Sequence, residues 1–166
     1  MSAALQPRTE IRNMSNRDLR GVSAVEQASY EFPWSPGIFR DCLLAGYQCL
    51  VLVTDGDVSG YAIMSVAASE AHILNLCVHP ELQQQGFGRQ LLNALCTRAQ
   101  AMGVERAFLE VRPSNDAAMN LYRSAGFEQI GVRPSYYQAH GGREDAVIFA
   151  ARIDEALRET GETDAR

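Results

Sequence analysis

No stretch of the 166-residue sequence is apolar for long enough to cross a bilayer, and the N-terminal MSAALQPRTE has no apolar core of signal-peptide length. A soluble, cytoplasmic protein is the expectation. Positive charge is also scarce. Fifteen Lys and Arg residues stand against 20 Asp and Glu, for a formal net charge of -5 and a pI near 5.2. Such a balance argues against an extended phosphate-backbone footprint, so nucleic acid is not expected as a direct partner, whereas a basic protein is still admissible. Cys42, Cys49, Cys77 and Cys96 form no CxxC pair and sit in apolar settings, which favours reduced core thiols over disulfides. The three histidines complete no zinc signature, and no metal is expected.

What is present centres on Leu74–Arg89, LNLCVHPELQQQGFGR. The run Ile73–Val78 is apolar enough for a buried strand, and His79-Pro80 ends it because proline lacks the amide donor and disfavours helical geometry before it. Past Gly86 and Gly88, the residues Leu91, Leu92, Leu95, Ala99 and Met102 recur at helical spacing, with Gly103 placed as the C′ residue. A strand, a glycine-turned loop and a helix in that order make a site for a pyrophosphate. Unpaired amides and the positive end of the helix dipole converge there, and glycine lets a ligand come close to the backbone. No lysine stands near Gly86 or Gly88, which excludes a Walker loop, and Leu91 occupies the position where a dinucleotide fingerprint needs its third glycine or alanine. An ordinary strand–turn–helix connection is the alternative for the loop taken alone.

The rest of the chain reads as one α/β domain over residues 1–153, with a polar, frayed tail from 154 to 166. Ser15 or Asn16 is expected to cap a helix reaching Ser29, with Asp18 in its first turn. Ser35, Pro36 and Gly46 bracket a second helix. Cys49–Thr54 and Gly60–Ala67 read as a hairpin turning at Asp55-Gly56-Asp57, and His72–Val78 extends its sheet. Arg106–Val111 is a further strand, and Ser114 or Asn115 caps a helix to Ser124 that Gly126 ends. Phe127–Val132 and Ala146–Ile153 complete the sheet.

This order, with Gln83-x-x-Gly86-x-Gly88 and the later LEVRPSNDAAMNLYRSAGF, resembles the GNAT superfamily of acetyl-CoA-dependent N-acetyltransferases over nearly the whole chain. FPWS at Phe32–Ser35, LNLCVHP, LEVRPSN at Leu109–Asn115, and Tyr136-Tyr137 followed by GREDA at Gly142–Ala146 are similar to the bacterial RimI branch. Members of that branch acetylate the N-terminal alanine of a small-subunit ribosomal protein. One departure is Gln84, where family members often carry arginine. The resemblance implies a mixed central sheet flanked by helices and acetyl-CoA as co-substrate. The N-terminus of a ribosomal protein would be the acceptor. A monomer with no membrane partner is expected.

Residue by residue, the resemblance implies that Leu76, Cys77 and Val78 pair with the pantetheine arm through their backbone. Gln84, Gln85, Gly86, Phe87, Gly88 and Arg89 would wrap the pyrophosphate, and Asn115 would contact coenzyme A. As alternatives, Arg89 is a solvated first-turn residue and Asn115 only a helix cap. Acetyl transfer to an amine needs a neutral nucleophile, a polarised carbonyl and a proton for the departing thiolate. Glu110 matches the base position. A satisfied edge-strand glutamate is its plainer reading, because an ionisable group among Phe108, Leu109 and Val111 is costly unless it faces a cleft. Tyr122 matches the acid position, a phenol's ordinary pKa of about 10 lying above the roughly 8.5 of a thiol; core packing is the alternative. Phe32, Trp34, Tyr136 and Tyr137 would line the peptide entrance, or merely anchor loops. Glu144 and Asp145 could attract a basic peptide, although a solvated charge pair with Arg143 beside it is simpler.

Freeing an α-amine with a pKa near 8 at pH 7 costs about 1 kcal/mol, against roughly 4 to 5 kcal/mol for a lysine near 10.4. An α-amine acceptor is therefore modestly favoured. Cys77 lies in an apolar strand with no orienting acid in view, so direct attack in a ternary complex is preferred to an acetyl-cysteine intermediate. Two rivals remain: acetylation of a small amine or a lysine, and a non-catalytic acetyl-CoA-binding regulatory module.

Overall fold

The computed structural model describes residues 8–157. Seven strands form one mixed sheet: β1 (Thr9–Asn13), β2 (Gln48–Thr54), β3 (Asp57–Ala67), β4 (Glu70–Val78), β5 (Arg106–Val111), β6 (Glu128–Ala139) and β7 (Gly142–Arg152). Their spatial order is β1-β2-β3-β4-β5-β7-β6, and β4 with β5 is the parallel pair. The helices are α1 (Leu19–Ser29), α2 (Pro36–Leu44), α3 (Phe87–Ala101) and α4 (Asp116–Ser124).

The unbroken apolar run in β2 follows from burial on both faces. Leu50 and Leu52 join Leu91, Leu92 and Leu95 of α3, while Cys49, Val51 and Val53 join Val22 and Val25 of α1 and Phe39 of α2. The alternation continues in β3, where Ala62 and Met64 face α3 and Tyr61 and Ile63 face α1. All four cysteines are free and buried in these two cores, as expected. Gly103 turns left-handed (φ +80°) just past α3, whereas Met102, expected on the apolar face, is exposed.

Three expectations need correction. The first helix is broken: Asn16–Asp18 is a 3₁₀ turn and α1 begins at Leu19. Asp18 does lie in the first turn after Ser15, and it is a buried acceptor there, taking bonds from the Ser15 amide at 2.8 Å and from Arg12 at 2.8 and 2.9 Å. Second, the final hairpin is longer than its apolar segments. β6 runs on through Pro134 to Ala139 and β7 starts at Gly142, so Tyr136 and Tyr137 stand on a strand and not in a loop. As the edge of the sheet β6 tolerates a proline, and a register shift between Arg133 and Tyr137 with Ser135 at φ +54° absorbs it. Third, residues 153–157 are helical, and Ile153 and Ala156 are buried. The rest of the proposed tail, 158–166, lies outside the described residues. β1 escaped notice because TEIRN pairs at the opposite edge and carries no apolar alternation.

Candidate active site

The parallel pairing of β4 and β5 covers only Glu70–Ile73 against Arg106–Leu109. At Ile73 the ladder to β5 stops, and a bulge on the β3 side leaves Leu74 as an extra residue between the pairs Met64–Ile73 and Ile63–Asn75. A bulge bends and twists its strand, and here β4 leaves β5, so Leu74–Val78 have no β5 partner. The fork opens a cavity of about 1100 Å³, into which β4, the start of α3, the end of β5, α4 and the α1–α2 connection all contribute residues.

One end of the cavity is formed by the loop before α3 and the first turn of that helix. After β4, the Gln83 side chain donates to the Val78 carbonyl at 3.1 Å, tying the loop to the strand. Gln84 (φ +64°) and Gly86 (φ +87°) then turn the chain left-handed so that α3 begins at Phe87. The first amides of α3 have no intrahelical acceptor. A Cβ on Gly88 would lie 3.3 Å from Leu121 Cδ2, so this glycine also lets α3 close on α4. Arg89 donates through Nη2 to Ser124 Oγ, but its Nη1 is buried without a hydrogen-bond partner. A solvated arginine would not leave a buried donor unpaired, and the side chain lines the cavity. Asn115 caps α4, accepting from the Ala118 amide at 3.2 Å, which leaves its own NH₂ donors unused by the helix.

At the fork stands Glu110, half enclosed and facing the cavity. His72 Nε2 is hydrogen-bonded to its Oε2, and Arg133 Nε lies 3.4 Å from Oε1. The His72 bond holds the carboxyl below its ordinary value, outweighing the opposing effect of burial, with the charges of His72 and Arg133 adding to it. Tyr122 is buried against Phe127 and Phe149 and lines the same cavity; burial raises its phenol well above the ordinary range. Cys77 is on the wall too, and burial raises its thiol as well. A thiol held protonated is a poor nucleophile.

The other end of the cavity is aromatic. Phe32, Trp34 and Tyr137 line it, and the Arg112 guanidinium lies 4.4 Å from the Tyr137 ring and 6.0 Å from that of Phe32. Tyr136 does not reach the cavity; it is 46% exposed and lies beside Arg133. Gln85 and Phe87 are likewise absent from the lining, and Phe87 packs on the α3 core. Glu144 is not a solvated partner of Arg143. It accepts from Arg112 at 3.2 Å and from the Ser114 amide and hydroxyl, both at 2.9 Å, and Asp145 accepts from the Ser135 amide at 2.9 Å. Sequence reasoning also missed Glu26. Its carboxylate, 2% exposed, accepts from Tyr61 Oη, from Asn75 Nδ2 at 3.1 Å and from the Trp34 amide at 3.2 Å, anchoring the aromatic loop. Its place before FPWS was the one available signal.

A glycine-turned helix start with free amides, an unpaired strand edge and a carboxylate where two parallel strands part are the features of an enzyme that transfers an acyl group from a nucleotide-tailed carrier. The Acetyltransferase (GNAT) family profile matches residues 9–127, and the chain belongs to that family of acetyl-CoA-dependent enzymes. It is 38% identical over 143 residues to the [Ribosomal protein bS18]-alanine N-acetyltransferase of Escherichia coli K12, covering 86% of this chain and 97% of that protein. The enzyme of the same name from Salmonella typhimurium is 39% identical over 140 residues, 84% of this chain and 95% of its own length. The crystal structure of the E. coli ribosomal-protein-S18-alanine N-acetyltransferase superposes with a TM-score of 0.82 over 88% of this chain and 94% of that one, at 38% identity.

Proposed function

We propose that the protein acetylates the α-amino group of an N-terminal alanine of a small-subunit ribosomal protein, bS18 by likeness to the E. coli and Salmonella enzymes. The observation that carries the reading is the fork, which puts Glu110 in one cavity with the α3 anion site at one end and an aromatic entrance at the other.

Acetyl-CoA supplies the thioester. The free edge from Leu76 to Val78 would take its pantetheine amides, the α3 amides with Gln84, Gly86, Gly88 and Arg89 its pyrophosphate, and Asn115 its further polar groups. The orphaned Arg89 Nη1 fits this assignment, because a phosphate oxygen gives a buried guanidinium the acceptor it lacks. Gln85 and Phe87 would then act through the loop backbone alone. Glu110 takes the proton that the substrate ammonium must lose, the neutral amine attacks the thioester carbonyl, the C–N bond forms and the C–S bond breaks. Tyr122, kept protonated by burial, is the donor to the departing sulfur. Phe32, Trp34 and Tyr137 form the walls along which the peptide enters, with Tyr136 supporting them from outside. The Cys77 thiol takes no part in covalent chemistry. The reading carries with it a monomeric, cytoplasmic enzyme without metal, membrane or direct nucleic-acid partners. Among the described residues no helix is long and apolar enough to cross a membrane.

An Arg89→Ala variant should bind acetyl-CoA about ten- to a hundredfold more weakly, the worth of a hydrogen bond to a charged group, with kcat changed much less. Calorimetric titration measures this, and an unchanged Kd would make Arg89 a tie to Ser124 only. The acceptor assignment is tested with a peptide beginning Ala-Arg, its N-terminally blocked form, a lysine peptide and a polyamine. Only the free Ala peptide should be acetylated; product from the blocked peptide would overturn the α-amine reading.

A further inference from the structure

We propose that His72 is a positioning residue that relays the substrate's proton, its ring accepting it from the Glu110 carboxyl and releasing it to solvent. The inference rests on the reading of Glu110 as the base. His72 stands on β4 in register with Phe108, two residues before Glu110 on the neighbouring strand, and its Nε2 meets Glu110 Oε2. The other carboxylate oxygen is 3.4 Å from Arg133 Nε, so both oxygens are held in place. Glu110 lines the cavity and His72 does not. The His72 side chain is 38% exposed, against 11% for Glu110. The carboxylate thus stands between the cavity and a ring in contact with water, an arrangement that suits a proton exit.

The chemistry calls for such an exit. An ammonium acceptor and a thioester yield an amide, a thiol and one surplus proton. One N–H bond of the ammonium breaks as an O–H bond forms on Glu110. That O–H bond breaks as an N–H bond forms at Nε2 of the Nδ1–H tautomer, the imidazolium loses its Nδ1 proton to water, and the exposed ring returns to its starting tautomer by exchange with solvent, losing the proton at Nε2 and regaining one at Nδ1. The second proton leaves the nitrogen after attack and ends on the departing sulfur through Tyr122. A lone carboxylate held below its ordinary value is poorly matched to an α-amine near 8. The titratable and charged groups facing the pair are Arg133 and Tyr137, both on β6; the β3 and β7 residues in register with His72 and Glu110 are Ser65 and Ile148, neither of which titrates in this range.

The test uses the full chain with acetyl-CoA and an Ala-Arg peptide. His72→Gln keeps a hydrogen-bonding group beside the carboxylate but cannot take up a proton. It should lower kcat by about tenfold, a part of what positioned proton transfer contributes, and leave the acetyl-CoA KM unchanged. His72→Ala should regain rate in proportion to added imidazole. Wild-type kcat in His72→Gln, or an imidazole-independent rate in His72→Ala, would overturn the inference. Glu110→Gln assayed in parallel separates the cases: normal turnover there removes the base reading itself, whereas an inactive Glu110→Gln beside normal His72 variants removes only the relay.

Discussion

Glu110→Gln should lower turnover about 10²- to 10⁴-fold, the range a positioned acid–base group contributes, while acetyl-CoA affinity stays within about twofold. The amide keeps the shape of the side chain and a contact for Arg133, but it cannot take a proton. Affinity is preserved because the carboxylate lies at the fork, apart from the loop between Gln83 and Arg89. Steady-state assay and calorimetry on one preparation measure both quantities. Turnover within threefold of wild type would remove Glu110 from the reaction. Stability provides an internal control. The native carboxyl is held below its ordinary value by His72 and Arg133, so its stabilising contribution is present above the unfolded-state pKa and is lost as pH falls through the depressed native one. The variant should therefore be less stable than wild type at neutral pH and indistinguishable from it in acid, as thermal melts across that range would show.

Glu26→Ala should cost about 3 kcal/mol, because it strips the acceptor from one buried donor, Tyr61 Oη, and two part-buried ones, Asn75 Nδ2 and the Trp34 amide, at once. In a domain of this size that corresponds to a fall in Tm of roughly 6 to 12 °C. Trp34 and Phe32 lose their anchor as well, so the peptide KM should rise while the acetyl-CoA KM stays near wild type. Glu26→Gln, which fills the space and retains one carbonyl acceptor, should lose less on both counts. Equal melting temperatures for the alanine variant and wild type would show that the Glu26 network does not hold the loop.

The strands and helices near the site were legible where local chemistry alone decides them. Proline after β4, Gly86 before α3, Gly103 after it and Asn115 before α4 act on their own few residues, and each does in the fold what its type requires. The edges were harder to read. β1 and the far half of β6 are exposed and polar, so they lack the alternation that marks a half-buried strand, and only pairing with β2 and β7 makes them strands. At the site, Glu110, Tyr122, Gly86, Gly88, Arg89 and Asn115 were all named from the chain, and they converge on one cavity. Tyr136 and Tyr137 are adjacent and their rings meet, with centroids 4.8 Å apart, just past the register shift between Arg133 and Tyr137, yet of the two only Tyr137 lines the cavity.

By itself the sequence determined the family and the strand–loop–helix unit around Gly86 and Gly88, because turns, caps and such units arise between near neighbours. The tertiary structure alone decided that β4 parts from β5 at Leu74, that Arg89 holds a buried donor toward the cavity, and that Glu110 is held between His72 and Arg133. His72 and Glu110 lie 38 positions apart and Glu26 and Asn75 lie 49 apart. Such pairs meet only when the whole sheet sets its register, and no periodicity within either segment records the meeting.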